Sequence, residues 1–198
     1  MNVKKISSGL TLSLLLGSGL AVAADYDKGM NAYDLGDFKT ALAEWTPLAE
    51  QGNVAAQFNL GLLYNLGKGV LENDKTAAKW FTLAAEQGSA QAQYDLGRFY
   101  DLGYGVPQNY KTAVKWYTLA AEQGNAMAQT NLGILYEIGQ GVLTDTKRAY
   151  MWWNLASYNG YEMGGNYKNK LAKQMAPADI SKAQDMSSAC LESNYTDC

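Results

Sequence analysis

A block of 36 residues occurs three times in succession, at residues 53–88, 89–124 and 125–160, without insertion or deletion. Each copy carries Ala-Gln, Leu-Gly, a Tyr, Gly-x-Gly-Val and then Lys-x-Ala-x-x-Trp. A fixed period of this length is typical of solenoids, in which each helical unit buries its apolar face only against its neighbours. The repeat therefore predicts an all-α fold, a right-handed α-solenoid of antiparallel helix pairs.

Two stretches of each copy show the spacing of amphipathic helices, here named helix A and helix B. In helix A of the first copy, Ala56, Leu60, Leu63 and Tyr64 recur on one face and are predicted to pack in the core. Helix B places Ala and Leu around one Trp per copy, and we interpret these residues as inter-repeat core rather than as a ligand-stacking row. They are Ala77, Trp80, Leu83 and Ala84 in the first copy, with Trp116 and Trp152 equivalent to Trp80.

A glycine lies inside helix A of every copy, at Gly61, Gly97 and Gly133. Glycine in a helix interior costs about 1 kcal/mol relative to Ala, so its recurrence indicates a geometric need. Because glycine has no Cβ, we predict that a neighbouring helix approaches closely there. The Gly-x-Gly after helix A, which starts at Gly67 in the first copy, is interpreted as a turn, because no strand precedes it and no Gly-Lys-Ser/Thr follows.

The segments outside the three copies extend the solenoid at both ends. Residues 25–52 are predicted to form a tetratricopeptide-like helix pair with its turn at Gly36, and residues 161–198 to form capping helices and a tail. Gly164 and Gly165 are expected to interrupt the start of the first capping segment. Pro177 is expected to open the last helix, because its fixed φ suits the first helical turn.

Residues 1–24 have the pattern of a cleavable signal peptide. Lys4 and Lys5 precede an apolar stretch at residues 6–20, and Ala23 ends a run of small residues suited to signal peptidase. The apolar stretch is too short and too interrupted for the ~20 residues of a membrane-spanning helix. We therefore predict a periplasmic or secreted protein without a membrane span after cleavage. Without the two signal lysines, 14 basic side chains face 19 acidic ones, a net charge of −5 that argues against nucleic acid as a partner.

Two cysteines, Cys190 and Cys198, lie close together at the end of the chain. In an oxidising compartment such a pair is predicted to form a structural disulfide that ties the tail to the last helix. A redox-active pair is disfavoured because Cys-x-x-Cys spacing is absent, and a metal site would lack two ligands.

The composition excludes much enzyme chemistry, because the chain contains no His. Ser-His-Asp and Cys-His nucleophilic sites and imidazole zinc sites are therefore ruled out. Asp95 and Asp101 flank Arg98 on one helix, but we interpret these carboxylates as a solvated charged face, not as a catalytic pair. We predict no catalytic residue, no metal and no cofactor, and therefore no enzyme.

The repeat motif resembles the Sel-one-like repeat (SLR), a relative of the tetratricopeptide repeat with a longer turn. The resemblance covers residues 53–160 without a gap and implies a scaffold that binds another envelope or secreted protein as adaptor or regulator. Cell-wall glycan or muropeptide binding is the alternative. Some secreted SLR relatives with a disulfide in each repeat are described as binding or hydrolysing β-lactams, but none of the three repeats here contains cysteine.

Positions of helix A that differ between the copies point away from the packing stripe at 100° per residue. In stacked helix pairs the A helices line the concave side, so this surface is the predicted binding face for a protein or peptide, extended by Tyr26 and Asp34. Its mixture of apolar, aromatic and charged groups suits an extended segment or a helix. The residues are Phe58, Asn59, Leu62, Asn65, Tyr94, Asp95, Arg98, Asp101, Thr130, Asn131, Ile134 and Glu137.

Overall fold

The computed structural model describes residues 24–196 and 198, so the predicted signal peptide lies, apart from Ala24, outside the described residues. The described chain forms ten α-helices and no strand, which confirms the all-α helix-pair architecture. The helices are α1 Tyr26–Asp34, α2 Phe38–Glu50, α3 Val54–Asn65, α4 Asp74–Glu86, α5 Ala90–Leu102, α6 Tyr110–Ala121, α7 Ala126–Ile138, α8 Thr146–Tyr158, α9 Glu162–Ala172 and α10 Pro177–Glu192.

The helices pack in sequence order. The pairs α1/α2, α3/α4, α5/α6 and α7/α8 are each a helix A and a helix B in contact, and every helix B also contacts the helix A that follows it. The helix α10 breaks this order, because it packs mainly on α8 rather than on α9. It therefore covers the last repeat as a cap instead of forming a further helix pair.

Side-chain caps fix where the helices of the three repeats begin. Asn53, Ser89 and Asn125 each accept a hydrogen bond from the backbone N–H three residues later and so start helix A of the three repeats. Asn73 and Asn109 do the same for helix B. Such caps satisfy amides that have no partner inside the helix, which is why the boundaries recur every 36 residues.

A buried aromatic ring rests on the glycine inside each helix A. A Cβ added to Gly97 would lie 2.6 Å from the ring of Tyr117, and Phe81 and Trp153 meet Gly61 and Gly133 in the same way. This finding confirms the predicted close approach. The four rings, including that of Trp45 on Gly29, are at most 1% exposed.

The repeated tryptophan is a less uniform core position than the sequence predicts. Trp80 is only half-buried, whereas Trp116 and Trp152 are buried. The prediction that Leu83 belongs to the inter-repeat core is wrong, because this side chain is 43% exposed. The aromatic residue directly after each tryptophan is the one that packs against the helix A glycine. These residues are Phe81, Tyr117 and Trp153.

Buried glutamines join each repeat to the next. The Nε2 of Gln93 donates to the carbonyl oxygen of Ala85 in the preceding helix B at 3.1 Å, and its Oε1 accepts from Gln123 at 2.7 Å. Gln57 and Gln129 make the equivalent contacts in the other repeats. The carbonyl groups that these amides reach lie in the last turn of helix B and also accept from the backbone N–H of the glycine that follows the helix, so each glutamine adds a bond between repeats.

Replacing Gln93 by Leu is expected to lower the free energy of unfolding by about 2 kcal/mol, because two hydrogen bonds of a buried amide are lost. Gln123→Leu removes an amide at the exposed end of the same chain of contacts and is expected to cost under about 1 kcal/mol. Urea denaturation of both variants measures the difference. Equal losses would show that burial of the Gln93 amide contributes nothing specific.

The C-terminal region differs from the sequence prediction in one respect. The helix α9 runs through Gly164 and Gly165 without interruption, because a Cβ at Gly164 would meet the Cβ of Ala156 at 2.6 Å and glycine permits this close packing. Pro177 opens α10 as predicted. The disulfide between Cys190 and Cys198 is also confirmed.

The disulfide-closed tail returns to the third repeat. The hydroxyl of Tyr195 donates to Oδ1 of Asn159 at 3.0 Å, and Nδ2 of Asn159 donates to Oε1 of Gln129 at 3.0 Å. Asn159 stands where the other copies have Gln87 and Gln123, so the tail ends the row of amide contacts between the repeats.

Candidate functional site

The candidate site is the surface of the A helices that carries the twelve predicted partner-binding residues, here called the A-helix face. In its middle, at the second repeat, lie Asp95, Arg98 and Asp101 of α5, and Asp101 is linked through the hydroxyl of Tyr117 to Asn131 of α7. Tyr117 of α6 connects the two helices. The face therefore has a polar centre that two repeats build together.

Asp95 is a carboxylate that the fold removes from water. Its residue is only 7% exposed, its Oδ1 accepts from Arg98 at 3.2 Å and its Oδ2 accepts from Gln91 at 3.4 Å. Burial raises the pKa of Asp95 above its usual value, although Gln91 and Arg98 oppose this shift. The interpretation of Asp95 as part of a solvated charged face is therefore wrong.

Tyr117 is a functional candidate that the sequence analysis missed. Its ring packs against Gly97, where helix A has no side chain. Its hydroxyl donates to Oδ2 of Asp101 at 3.2 Å and accepts from Nδ2 of Asn131 at 3.1 Å. Burial raises the pKa of Tyr117 far above its usual value, and burial also raises the pKa of Asp101. The available signal was the aromatic residue that follows the tryptophan in every copy.

Tyr94 and Arg98 form the solvent-facing part of this centre. The ring centroid of Tyr94 lies 6.0 Å from that of Tyr117, and burial raises the pKa of Tyr94. The guanidinium carbon of Arg98 lies 5.9 Å from the centroid of Tyr94, and the Arg98 side chain is 38% exposed. Arg98 is therefore held by both a carboxylate and a ring while it remains accessible to a partner.

The part of the face formed by the first repeat is more apolar. Phe58 and Leu62 are half-buried against the core of the neighbouring helices, with the Phe58 centroid 5.8 Å from that of Phe81. Asn59 donates to the hydroxyl of Tyr26 at 3.1 Å, so the face continues onto α1. Asn65, in contrast, donates to Asp74 at 2.9 Å and stabilises the start of helix B.

The third repeat corrects one predicted residue. Thr130 is 1% exposed and its hydroxyl donates to the carbonyl of Ala126, so it does not reach the surface. Trp153 covers it, since the indole N–H donates to the Thr130 carbonyl at 3.0 Å. Ile134 is half-buried and Glu137 is exposed, so these two side chains represent the third repeat on the face together with Asn131.

The described residues contain no group of three His, Cys, Asp or Glu side chains that is placed to hold a metal ion. Within the same part of the chain, no helix has the length and apolar character that crossing a membrane requires. The face offers the buried carboxylate of Asp95, the half-buried carboxylate of Asp101, the exposed carboxylate of Glu137, one accessible guanidinium and a border of half-buried apolar side chains.

Similarity to known structures extends over most of the chain. A Sel1 repeat protein from Oxalobacter formigenes is 36% identical with a TM-score of 0.68, and the match covers 71% of this chain and 58% of that chain. A protective antigen with an SLR fold from uropathogenic Escherichia coli is 26% identical with a TM-score of 0.59, over 84% of this chain and 47% of that chain. Cysteine rich protein B of Helicobacter pylori, at 21% identity and a TM-score of 0.53 over 66% of this chain and 94% of that chain, shares the fold.

No curated protein matches the chain in sequence. The chain spans less than two thirds of the length of the first two structures that it resembles. The Sel1 repeat family model matches residues 54–89, 90–125 and 126–161, and these three matches cover more than half of the chain. On this match, which follows the repeat pattern from its first copy to its third, the chain belongs to the Sel1 repeat family.

Proposed function

We propose that the protein is a periplasmic or secreted scaffold whose A-helix face binds a segment of an envelope or secreted protein partner. Sel1 repeat scaffolds are typical of protein–protein interaction, and an extended surface built from stacked helix pairs suits that role. The protein then acts as an adaptor or regulator and not as an enzyme.

The observation that carries this proposal is the buried, partly compensated charge of Asp95. Folding transfers this carboxylate out of water, and its raised pKa means that ionisation opposes folding. Stability alone favours a neutral side chain at such a position. A charge that costs stability in the middle of an otherwise accessible surface is characteristic of a binding site.

The chemistry of the face indicates the kind of segment that binds. Asp95 and Asp101 provide two carboxylates against the single guanidinium of Arg98, so a basic side chain of the partner is favoured at the second repeat. Phe58 and Leu62 of the first repeat offer an apolar border for an aliphatic or aromatic side chain. The matching segment therefore combines one basic residue with an apolar residue on the side of the first repeat.

Asp95→Asn tests the energetic part of the proposal. For a carboxyl group whose pKa is raised by folding, the folded state holds the proton more tightly, so stability falls as pH rises from the unfolded towards the folded pKa. The variant is therefore expected to be about 1 kcal/mol more stable than the wild type at pH 7 and equally stable near pH 3, where both are neutral. Urea denaturation at the two pH values measures this. A destabilised variant at pH 7 would show that the ion pair with Arg98 outweighs the cost of burial.

Binding is tested by affinity capture from an envelope extract followed by mass spectrometry, with wild type, Asp95→Asn and Arg98→Glu as baits. We expect a protein that the wild type captures and both variants lose by at least about tenfold. Lys79→Glu, a charge reversal on the exposed outer side of helix B, is the matched control and is expected to retain the partner. Retention by Arg98→Glu with loss in Lys79→Glu would place the binding surface on the B helices. Saturable binding to purified peptidoglycan that Arg98→Glu abolishes would favour the glycan alternative.

A further inference from the structure

One edge of the solenoid, formed by the turns from helix A to helix B, carries exposed apolar side chains at equivalent positions. We call it the A–B turn edge. Seven of the ten exposed large apolar side chains in the described part of the chain lie here, and three of them are 86–90% exposed. The two repeated positions hold Leu35, Leu66, Leu102 and Ile138, and then Leu71 and Leu143. Apolar surface concentrated in this way marks an interaction site, whereas single exposed side chains do not.

The turns lie side by side, so these side chains follow one another along one edge. A Cβ added to Gly141 would lie 2.5 Å from the backbone of Tyr110, the first residue of the preceding helix B. Gly69 and Gly105 press in the same way on the first residues of α2 and α4. Each turn therefore rests on the helix start of the repeat before it, which fixes the row as one surface.

The same edge carries unpaired charges of both signs. Lys39, Lys75 and Lys111 lie at the second position of three B helices and form no ion pair in the described part of the chain. Asp34 and Glu137 lie in the last turns of their A helices and are likewise exposed and unpaired there. Helix dipoles disfavour cations at the N-terminus and anions at the C-terminus. None of these five charges therefore forms an ion pair within residues 24–196.

An open depression interrupts the edge between the second and third repeats. It has a volume of about 480 Å³ and is lined by Lys111, Gly141, Val142 and Leu143. Its lining combines apolar surface with one ammonium group. It is therefore shaped to receive an apolar side chain that has a carboxylate near it.

We propose that the A–B turn edge pairs with the same edge of a second copy of the chain, in an antiparallel two-fold arrangement. A two-fold interface must complement itself, and an edge with three unpaired lysines and the three acids Asp34, Glu72 and Glu137 does so. Antiparallel order places the first turn of one copy, with Leu35 and Asp34, opposite the depression near the last turn of the other. It also places Lys111 opposite Glu72.

The charges on this edge favour a second copy of the chain over a lipid surface as its partner. An anionic bilayer attracts the lysines but repels the acids beside them, and outside the first 24 residues the chain carries a net charge of −5. In a second copy, by contrast, the acids can lie opposite the lysines and the lysines opposite the acids. The row of leucines then supplies the apolar contact that both copies bury.

Sedimentation velocity of the purified wild type from about 1 to about 500 µM is expected to show a monomer–dimer equilibrium. The double variant Leu71→Ser with Leu143→Ser is expected to weaken dimerisation by at least about 100-fold, because both side chains are 90% exposed in the monomer and belong to the proposed interface. Leu83→Ser, which removes a 43% exposed leucine from helix B away from this edge, is the matched control and is expected to dimerise like the wild type. Circular dichroism checks that all variants stay folded.

A charge exchange tests the register. Lys111→Glu is expected to weaken dimerisation about tenfold, and adding Glu72→Lys to it is expected to restore the wild-type affinity. A wild type that remains monomeric at about 500 µM overturns the proposal, as does a dimer that none of the edge variants affects. Binding of the monomer to phosphatidylglycerol vesicles, lost in the leucine double variant, would also overturn it and identify a lipid surface as the occupant.

Discussion

Replacing Phe81 with Ala is expected to lower the free energy of unfolding by about 4 kcal/mol. The ring is 1% exposed, rests on Gly61 of α3 and lies 5.3 Å from the ring of Phe99 on α5, measured between centroids. Its removal leaves a cavity at the contact of two repeats, where the surrounding helices cannot close without breaking their own packing. Because each repeat is stabilised chiefly by its neighbours, loss of this contact weakens both sides of it.

Trp80, the residue directly before Phe81, is the internal control. Its indole is larger than the phenyl ring but is only half-buried, so Trp80→Ala is expected to cost about 1 to 2 kcal/mol. Urea denaturation of the two variants, with circular dichroism as the signal, compares them directly. A larger loss of unfolding free energy for Trp80→Ala than for Phe81→Ala would show that the repeated tryptophan is the main core residue of helix B, as the sequence pattern suggests.

Gly97→Ala is expected to destabilise the protein by about 3 kcal/mol, although Ala is the better helix former by about 1 kcal/mol. The new Cβ would lie 2.6 and 2.7 Å from two carbons of Tyr117, a ring that is fully buried and has no space into which to move. The steric cost therefore outweighs the gain in helix propensity. The measurement is the midpoint of urea unfolding at constant slope.

Gly165→Ala is the matched helical control, because its added Cβ would meet the Ser157 side chain, with the hydroxyl at 3.0 Å, which can rotate away, and the Cβ at an ordinary contact distance of 3.6 Å. This variant is expected to change stability by less than about 1 kcal/mol. The double variant Gly97→Ala with Tyr117→Ala is expected to cost less than the sum of its single changes, since the clashing ring is absent. Additive losses would show that the two residues do not meet in the folded protein.

The sequence predicted the helices, the close approach at the helix A glycines and the disulfide. The capping residues Asn53 and Ser89 and the proximity of Cys190 to Cys198 act over short distances along the chain. The close approach at Gly61 was marked by the recurrence of a helical glycine in every copy, although this pattern did not show which ring meets it. Because the unit is repeated, one correct interpretation of a copy applies to all three. That is why a single sequence sufficed for the architecture.

The candidate site was predicted less completely. Asp95, Arg98 and Asn131 were identified as residues of one face, but their position on a helical wheel did not indicate that Asp95 is buried or that Thr130 lies beneath Trp153. Tyr117 was missed because it belongs to helix B and reaches the A-helix face only through the gap at Gly97. Contacts between a helix and a ring 20 residues away depend on packing, which periodicity does not encode.

Taken by itself, the sequence determined the repeat length, the helix boundaries and the family, because these follow from hydrophobic spacing, capping residues and glycine positions within 36 residues. Only the tertiary structure decided which aromatic of each helix B enters the core, which carboxylate loses its water and which edge keeps its leucines exposed. The physical reason is that burial is a property of neighbours in space. Adjacent residues such as Trp80 and Phe81 have similar chemistry. Whether each lies at the surface or in the core depends on the direction in which its side chain points when the repeats stack.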